Sequence, residues 1–232
     1  MTISETLRHA QGDIISDKII IMPIRAAIFD FGNVLVKWDA RNLYKRFFPD
    51  TSTRLSTSLQ SVDSFLNQIH FLDWNAKQDA GRLFSDGVAE LSKQFPQYAD
   101  LIQAYDTYWE ESLVEVFEKT VSIAKQLKQN GLLLYILTNS SAEKFPIAKQ
   151  KYPFLEELFN DCIVSGEVKL LKPDPAIYHL TLKRINLKAE ECIFIDDSLP
   201  NIESARTLGF HAIHYQSPTQ LKEEIEKLSI KV

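Results

Sequence analysis

Basic residues are in short supply in this 232-residue chain: 26 lysines and arginines face 31 aspartates and glutamates, for a net charge of -5 and a pI near 5.6. Nucleic-acid binding normally shows as a basic excess or stripe, so the balance argues against that partner and requires any phosphate site to be local. Cysteine is nearly absent as well. Cys162 and Cys192 sit in the short apolar runs "DCIV" and "ECIFI" with no paired spacing, which leaves nothing to build a disulfide framework or a thiolate zinc site; both thiols are expected to be buried and reduced. No stretch approaches the roughly 18 apolar residues that a spanning helix needs, and the N-terminus lacks the basic start and apolar core of a signal peptide. A cytoplasmic protein with no membrane partner is expected. Internal repeats and low-complexity tracts are missing too.

What is present is a large apolar fraction, 45%, enough to fill the core of one domain or of a domain carrying an insertion. Residues 1–22 are polar and mixed until "IIIM" and read as an N-terminal extension. Short apolar runs at 26–29, 132–137, 162–164, 192–195 and 211–215 read as strands. Helical patterns lie between them: residues 116–130 with Gly131 as a stop, a helix opened by Asp174 and Pro175, and residues 201–208 ended by Gly209. Continuous rather than alternating strands, interleaved with helices, predict an α/β fold with a parallel sheet covered on both faces. Between 40 and 113 no strand is convincing, and aromatic residues recur at helical spacing as packing faces. The predicted division is therefore a core of 23–38 and 114–232 with a helical segment, 39–113, inserted.

Ligands of an open parallel sheet bind beyond the carboxyl ends of its strands. Four such ends carry polar residues: Asp30, Thr138 with Asn139, Lys172, and Asp196 with Asp197. Each alone has a bland reading as a cap or a turn. Converging, they would bring together three carboxylates, which repel unless a cation sits among them; hard oxygen ligands select Mg²⁺. Lys172 and Thr138 would then hold phosphate oxygens.

These residues also carry a resemblance. "FDFGNVLV", "ILTNSS", "KPDPAIY" and "FIDDSLPNIESARTLG" are similar, in that order, to the four motifs of the haloacid dehalogenase superfamily, and "WDARNLYKRFF" and "DWNAKQDAGRLF" to phrases of its members with a helical cap after the first strand. The likeness spans residues 24–215, and the Gly-Asn after the first aspartate resembles bacterial sugar-phosphate phosphatases of the glucose 1-phosphatase type. It implies a Rossmann-like core with a helical cap. It further implies Asp30 as a nucleophile forming an aspartyl-phosphate, Thr138 and Lys172 on the phosphoryl oxygens, Asn139 at the pocket's edge, and Mg²⁺ on Asp30, the Gly32 carbonyl and Asp197 with Asp196 beside it. The expected function is a Mg²⁺-dependent phosphatase of a small phosphorylated metabolite, with sugar phosphates as one candidate class. Most phosphatases of the superfamily have a second aspartate where this chain has Gly32, which keeps two alternatives open: a 2-haloacid dehalogenase, or a weakly catalytic member binding a phosphorylated ligand or a protein. Asp39 is a candidate replacement acid and Arg41 a candidate anion contact, each with a capping or solvated role as its rival. Trp74 and Asn75 are the nominees for reaching the substrate from the cap, with cap core as the rival for Trp74.

Overall fold

The computed structural model describes residues 23–48 and 55–232; the expected extension, 1–22, lies outside the described residues. The strands are β1 (Ala26–Phe29), β2 (Val36–Trp38), β3 (Leu113–Val116), β4 (Leu133–Thr138), β5 (Asp161–Val164), β6 (Cys192–Asp196) and β7 (His211–His214). Five of them form a parallel sheet in the order β5-β4-β1-β6-β7. Successive side chains point to opposite faces of a strand. Ala27 and Phe29 accordingly join Leu134, Ile136, Ile193 and Ile195 in one core, while Ala26 and Ile28 join Tyr135, Leu137, Cys192 and Phe194 in another. Two buried faces explain why these strands read as unbroken apolar runs. Burial of each large side chain contributes about 1.5–3 kcal/mol. Both cysteines are buried and unpaired, as expected.

Helices cover both faces. The insertion holds α1 (Ala40–Tyr44), α2 (Leu55–Gln68), α3 (Phe71–Asp79), α4 (Phe84–Gln94) and α5 (Ala99–Thr107); after β3 come α6 (Glu118–Gln129), α7 (Phe145–Lys151), α8 (Phe154–Leu158), α9 (Ser165–Val168), α10 (Pro175–Ile185), α11 (Leu199–Thr207) and α12 (Pro218–Lys227). Val121 and Leu127 of α6 and Leu221 and Ile225 of α12 pack on the first face; Ile177 and Tyr178 of α10 and Ile202 and Ala205 of α11 pack on the second. Asp174 caps α10, accepting from the Ala176 amide at 2.8 Å with Pro175 in the first turn. Gly131 and Gly209, at φ 88° and 92°, follow the ends of α6 and α11. Among the described residues no helix is long and apolar enough to cross a membrane.

Two elements differ from expectation. Val116 is not helical; it pairs with Val36 in a two-stranded antiparallel ladder, β2 with β3, through which the chain leaves and re-enters the core. Runs of three and four residues are too short for alternation to register. α11 begins at Leu199 rather than 201, because Ser198 is extended and Pro200 fits a first turn.

The insertion is fastened to the core beside the carboxyl end of the sheet. Lys144, after β4, donates to the Asp106 carboxylate and backbone carbonyl and lies 4.5 Å over the Phe84 ring. The Phe84 amide donates to Glu143 at 2.7 Å, and the Ser165 hydroxyl donates to the Asp79 carbonyl at 2.6 Å. The core loop gripped by the insertion is itself closely packed on α9: a Cβ on Gly166 would stand 2.5 Å from the Ala142 nitrogen and 2.9 Å from the Ser140 oxygen. Neither backbone atom can swing aside as a flexible side chain would. Gly166→Ala is therefore expected to destabilise the protein by about 1–3 kcal/mol, read as a drop in melting temperature of roughly 2–10 °C; an unchanged melting temperature would contradict this packing.

Candidate active site

Asp30 follows β1 directly and is almost fully buried, an arrangement that is costly for a carboxylate without partners. Its partner is Lys172, whose ammonium lies 3.0 Å from Asp30 and 2.6 Å from Asp196 at the end of β6. All three side chains are within 12% of complete burial. Removing one member of such a set strands the others, at about 3–5 kcal/mol. Lys172 arrives on a loop after α9, and Asn139 holds that loop from both ends of its amide: Nδ2 donates to the Lys172 carbonyl and Oδ1 accepts from the Lys172 amide, both at 2.9 Å. Asn139 borders the pocket, yet its polar atoms are committed to positioning the lysine.

Asp196 spends its lone pairs inward, accepting from the Ser198 amide at 2.8 Å and from Asn201 at 3.0 and 3.1 Å as well as from Lys172. Asp30 and Asp197 border the open pocket. One oxygen from each of Asp30, Asp196 and Asp197 lies within 4.8 Å of the others. Burial pushes the Asp30 carboxyl up to about 7, with Lys172 opposing and Asp196 and Asp197 adding to the rise. Burial, then Asp196, also raises Asp197. Burial pulls the Lys172 ammonium down, but Asp196 and Asp30 outweigh it and keep the charge in place. Three acids against one ammonium is an excess of negative charge, in a donor set of hard oxygens that fits a Mg²⁺ ion.

Above these residues is a cavity of about 170 Å³. Asp30, Thr138 and Asp197 form its floor, Trp38 and Trp109 its walls, and Asn75 and Asp79 of α3 its roof, with the Lys172 ammonium against Asp30 beneath. Asn33, at φ 56°, turns the chain past Gly32 and accepts from the Trp38 amide at 3.1 Å, and its amide side chain partly offsets the rise at Asp197.

Three of the nominated residues lie elsewhere. Asp39 caps α1, accepting from the Arg41 amide at 2.9 Å, and Arg41 pairs with Asp63 and Asp39. Both border a second cavity, which shares Asn33 and Trp38 with the first, so Asp39 is a helix cap and Arg41 a surface ion-pair partner. Trp74 is core of the insertion: it packs against Phe71, Phe84 and Tyr105 and donates its indole N–H to the Gly87 carbonyl at 2.9 Å. Asn75 does reach the cavity.

Asp79 is the functional candidate that the sequence reading passed over. It stands four residues after Asn75, which places both on one face of α3, and Asn75 donates to its carboxylate at 2.9 Å. That spacing, visible in "DWNAKQDAG", was the available signal. Burial raises the Asp79 carboxyl to about 8, a backbone hydrogen bond from Ser141 opposing and Asp30 adding to the rise. Trp38 and Trp109 were also missed as walls, since aromatics at such positions read equally well as packing.

A family model for haloacid dehalogenase-like hydrolases matches residues 24–209. Among curated proteins, mouse acyl-CoA dehydrogenase family member 10 is 28% identical over 88% of this chain, which spans only 19% of that protein's length. The sesquiterpene phosphatase astK of Aspergillus oryzae is 27% identical over 82% of this chain and 89% of its own. A HAD family enzyme from Bacteroides thetaiotaomicron, solved with magnesium and inorganic phosphate, superposes with a TM-score of 0.63 at 20% identity, over 84% of this chain and 95% of its own, a likeness of fold. By the span of the family match, and with the fold to accompany it, the chain belongs to the haloacid dehalogenase-like hydrolases.

Proposed function

We propose that the chain is a Mg²⁺-dependent phosphatase of a small phosphorylated metabolite, acting through an aspartyl-phosphate on Asp30. The observation that carries this reading is the excess of buried carboxylate over ammonium where β1 and β6 end. Asp30 attacks phosphorus, dividing one difficult displacement into two. Lys172 and the Thr138 hydroxyl hold the transferring oxygens. Asp30, Asp197 and the Gly32 carbonyl would hold Mg²⁺, with Asp196 anchoring Lys172; the ion supplies the positive charge that offsets an anionic nucleophile meeting an anionic substrate. Residues 39–113 act as the cap over a core of 23–38 and 114–232. The phosphatase named among the relatives, and the magnesium and phosphate held by the Bacteroides enzyme, support the assignment.

The cavity favours this chemistry over dehalogenation. Displacing halide from carbon needs no metal ion, whereas the three clustered carboxylates at the strand ends suit one. At about 170 Å³ the space is smaller than the several hundred Å³ of drug-sized sites, which suits a compact leaving group, and two tryptophan walls suit the apolar face of a sugar.

A panel of phosphorylated metabolites, assayed with Mg²⁺ and with chelator, tests the proposal. Turnover is expected on some of the panel with Mg²⁺ only; full activity in excess chelator would contradict it, and halide release from a 2-haloacid under those conditions would establish the dehalogenase instead. Asp30→Asn, nearly isosteric, is expected to keep the fold by circular dichroism and abolish turnover. Activity retained within tenfold, about 1.4 kcal/mol of barrier, would remove Asp30 as nucleophile. Asp197→Ala is expected to raise the Mg²⁺ requirement at least tenfold or eliminate activity, measured by metal titration of the rate; an unchanged requirement would take Asp197 out of the metal set.

A further inference from the structure

Phosphoryl transfer from an alcohol needs a proton for the leaving oxygen, and the side of the cavity formed by the Gly32 turn offers none. The fold does not impose that glycine. Gly32 has no positive φ, and a Cβ there would meet only the Trp38 Cβ, at 4.0 Å. The other carboxylates of the cavity are already engaged, Asp30 with Lys172 and Asp197 in the oxygen cluster. Asp79 is different: it enters from the helical insertion, faces the cavity opposite the strand ends, and makes no ion pair among the described residues.

We propose that Asp79 is the general acid and base of this site. The assignment rests on the phosphatase reading above and identifies the proton carrier. In the first step the Asp30 carboxylate forms a bond to phosphorus, the bond from phosphorus to the ester oxygen breaks, and that oxygen takes the Asp79 proton and departs as the alcohol. In the second, water attacks phosphorus of the aspartyl-phosphate and gives its proton to Asp79, releasing inorganic phosphate and returning both carboxyls to their starting states.

The surroundings suit a carboxyl that is neutral at rest. Asn75 donates to one oxygen from the same helix, and the Ser141 backbone, on the loop after β4, opposes the rise; burial and the charge of Asp30, just after β1, outweigh them. From α5 comes Tyr105, whose hydroxyl is, among the described residues, the one buried side-chain polar atom without a hydrogen-bond partner, and whose pKa is raised by burial and then by Asp79. The nearby cations point elsewhere, Arg82 to Gln78 and Glu90, Lys144 to Asp106. Among the described residues no ion pair holds Asp79 ionised, and burial raises its pKa to about 8. The position is fixed as well, since Ser165 bonds both the Asp79 carbonyl and the Ser140 amide.

The test is kcat/KM of wild type and Asp79→Asn, Mg²⁺-loaded, on alkyl and aryl phosphate monoesters of graded leaving-group pKa. General acid help is worth about 10² to 10⁴ in rate. The variant should lose that much on alkyl phosphates and less than about tenfold on nitrophenyl phosphate, whose leaving group needs no proton. With nitrophenyl phosphate it should also show a stoichiometric burst, because the second step has lost its base. An equal loss on both classes, or none, overturns the assignment, and absence of the burst removes the base role. A wild type inactive on every ester overturns the phosphatase reading, and this one with it. A second measurement is independent of turnover. A carboxyl raised from 3.8 to about 8 by folding contributes stability that is full below pH 4 and lost as pH rises through 8. The melting temperature of metal-free Asp79→Asn should accordingly gain on wild type between pH 5 and pH 8; a gap independent of pH overturns the neutral carboxyl.

Discussion

The Lys172 ammonium, buried between Asp30 and Asp196, is the interaction on which the rest of the site depends. An unpaired charge in this position would be among the most destabilising features a core can hold. The surrounding sequence is organised to prevent it: Asn139 fixes the lysine's backbone, Asn201 and the Ser198 amide complete the shell of Asp196, and the parallel pairing of β1 with β6 sets the two acids side by side. The arrangement still leaves negative charge in excess. That residue of charge, rather than any one side chain, makes the strand ends suited to a cation and a phosphoryl group.

The insertion contributes side chains to the cavity itself. It leaves and returns through β2 and β3, whose Trp38 forms one wall, and its α3 delivers Asn75 and Asp79 to the roof. Its fastening to the core through Lys144 and Asp106 and through Glu143 and the Phe84 amide bears directly on the site, because the loop it grips, residues 138–144, also carries Thr138. Packing at this seam and the placement of a proton donor are thus the same structural problem.

The core and its chemistry were legible in the sequence for one physical reason. Strands buried on both faces are continuously apolar, so a polar residue at their end stands out, and Asp30, Thr138 and Asp196 were readable on that ground. Lys172 was readable from its place shortly after the apolar run at 162–164. The contribution of the insertion was not, since helical spacing gives faces without saying which face meets the core. Trp74 and Asn75 are adjacent, yet one is core and the other roof. Asp39 and Arg41 follow the site closely in sequence, but the turn into α1 carries them to a second cavity. Asp79, an acid among many, acquires meaning only when the fold brings it over Asp30.

The central claim is that Asp30 carries the phosphoryl group between substrate and water. Its most direct measurement is rapid acid quenching of the enzyme during turnover, followed by peptide mapping by mass spectrometry. The account predicts one phosphoryl group on the peptide containing Asp30, absent when substrate or Mg²⁺ is omitted. Turnover with that peptide unmodified, or with the phosphoryl group on another side chain, would contradict it.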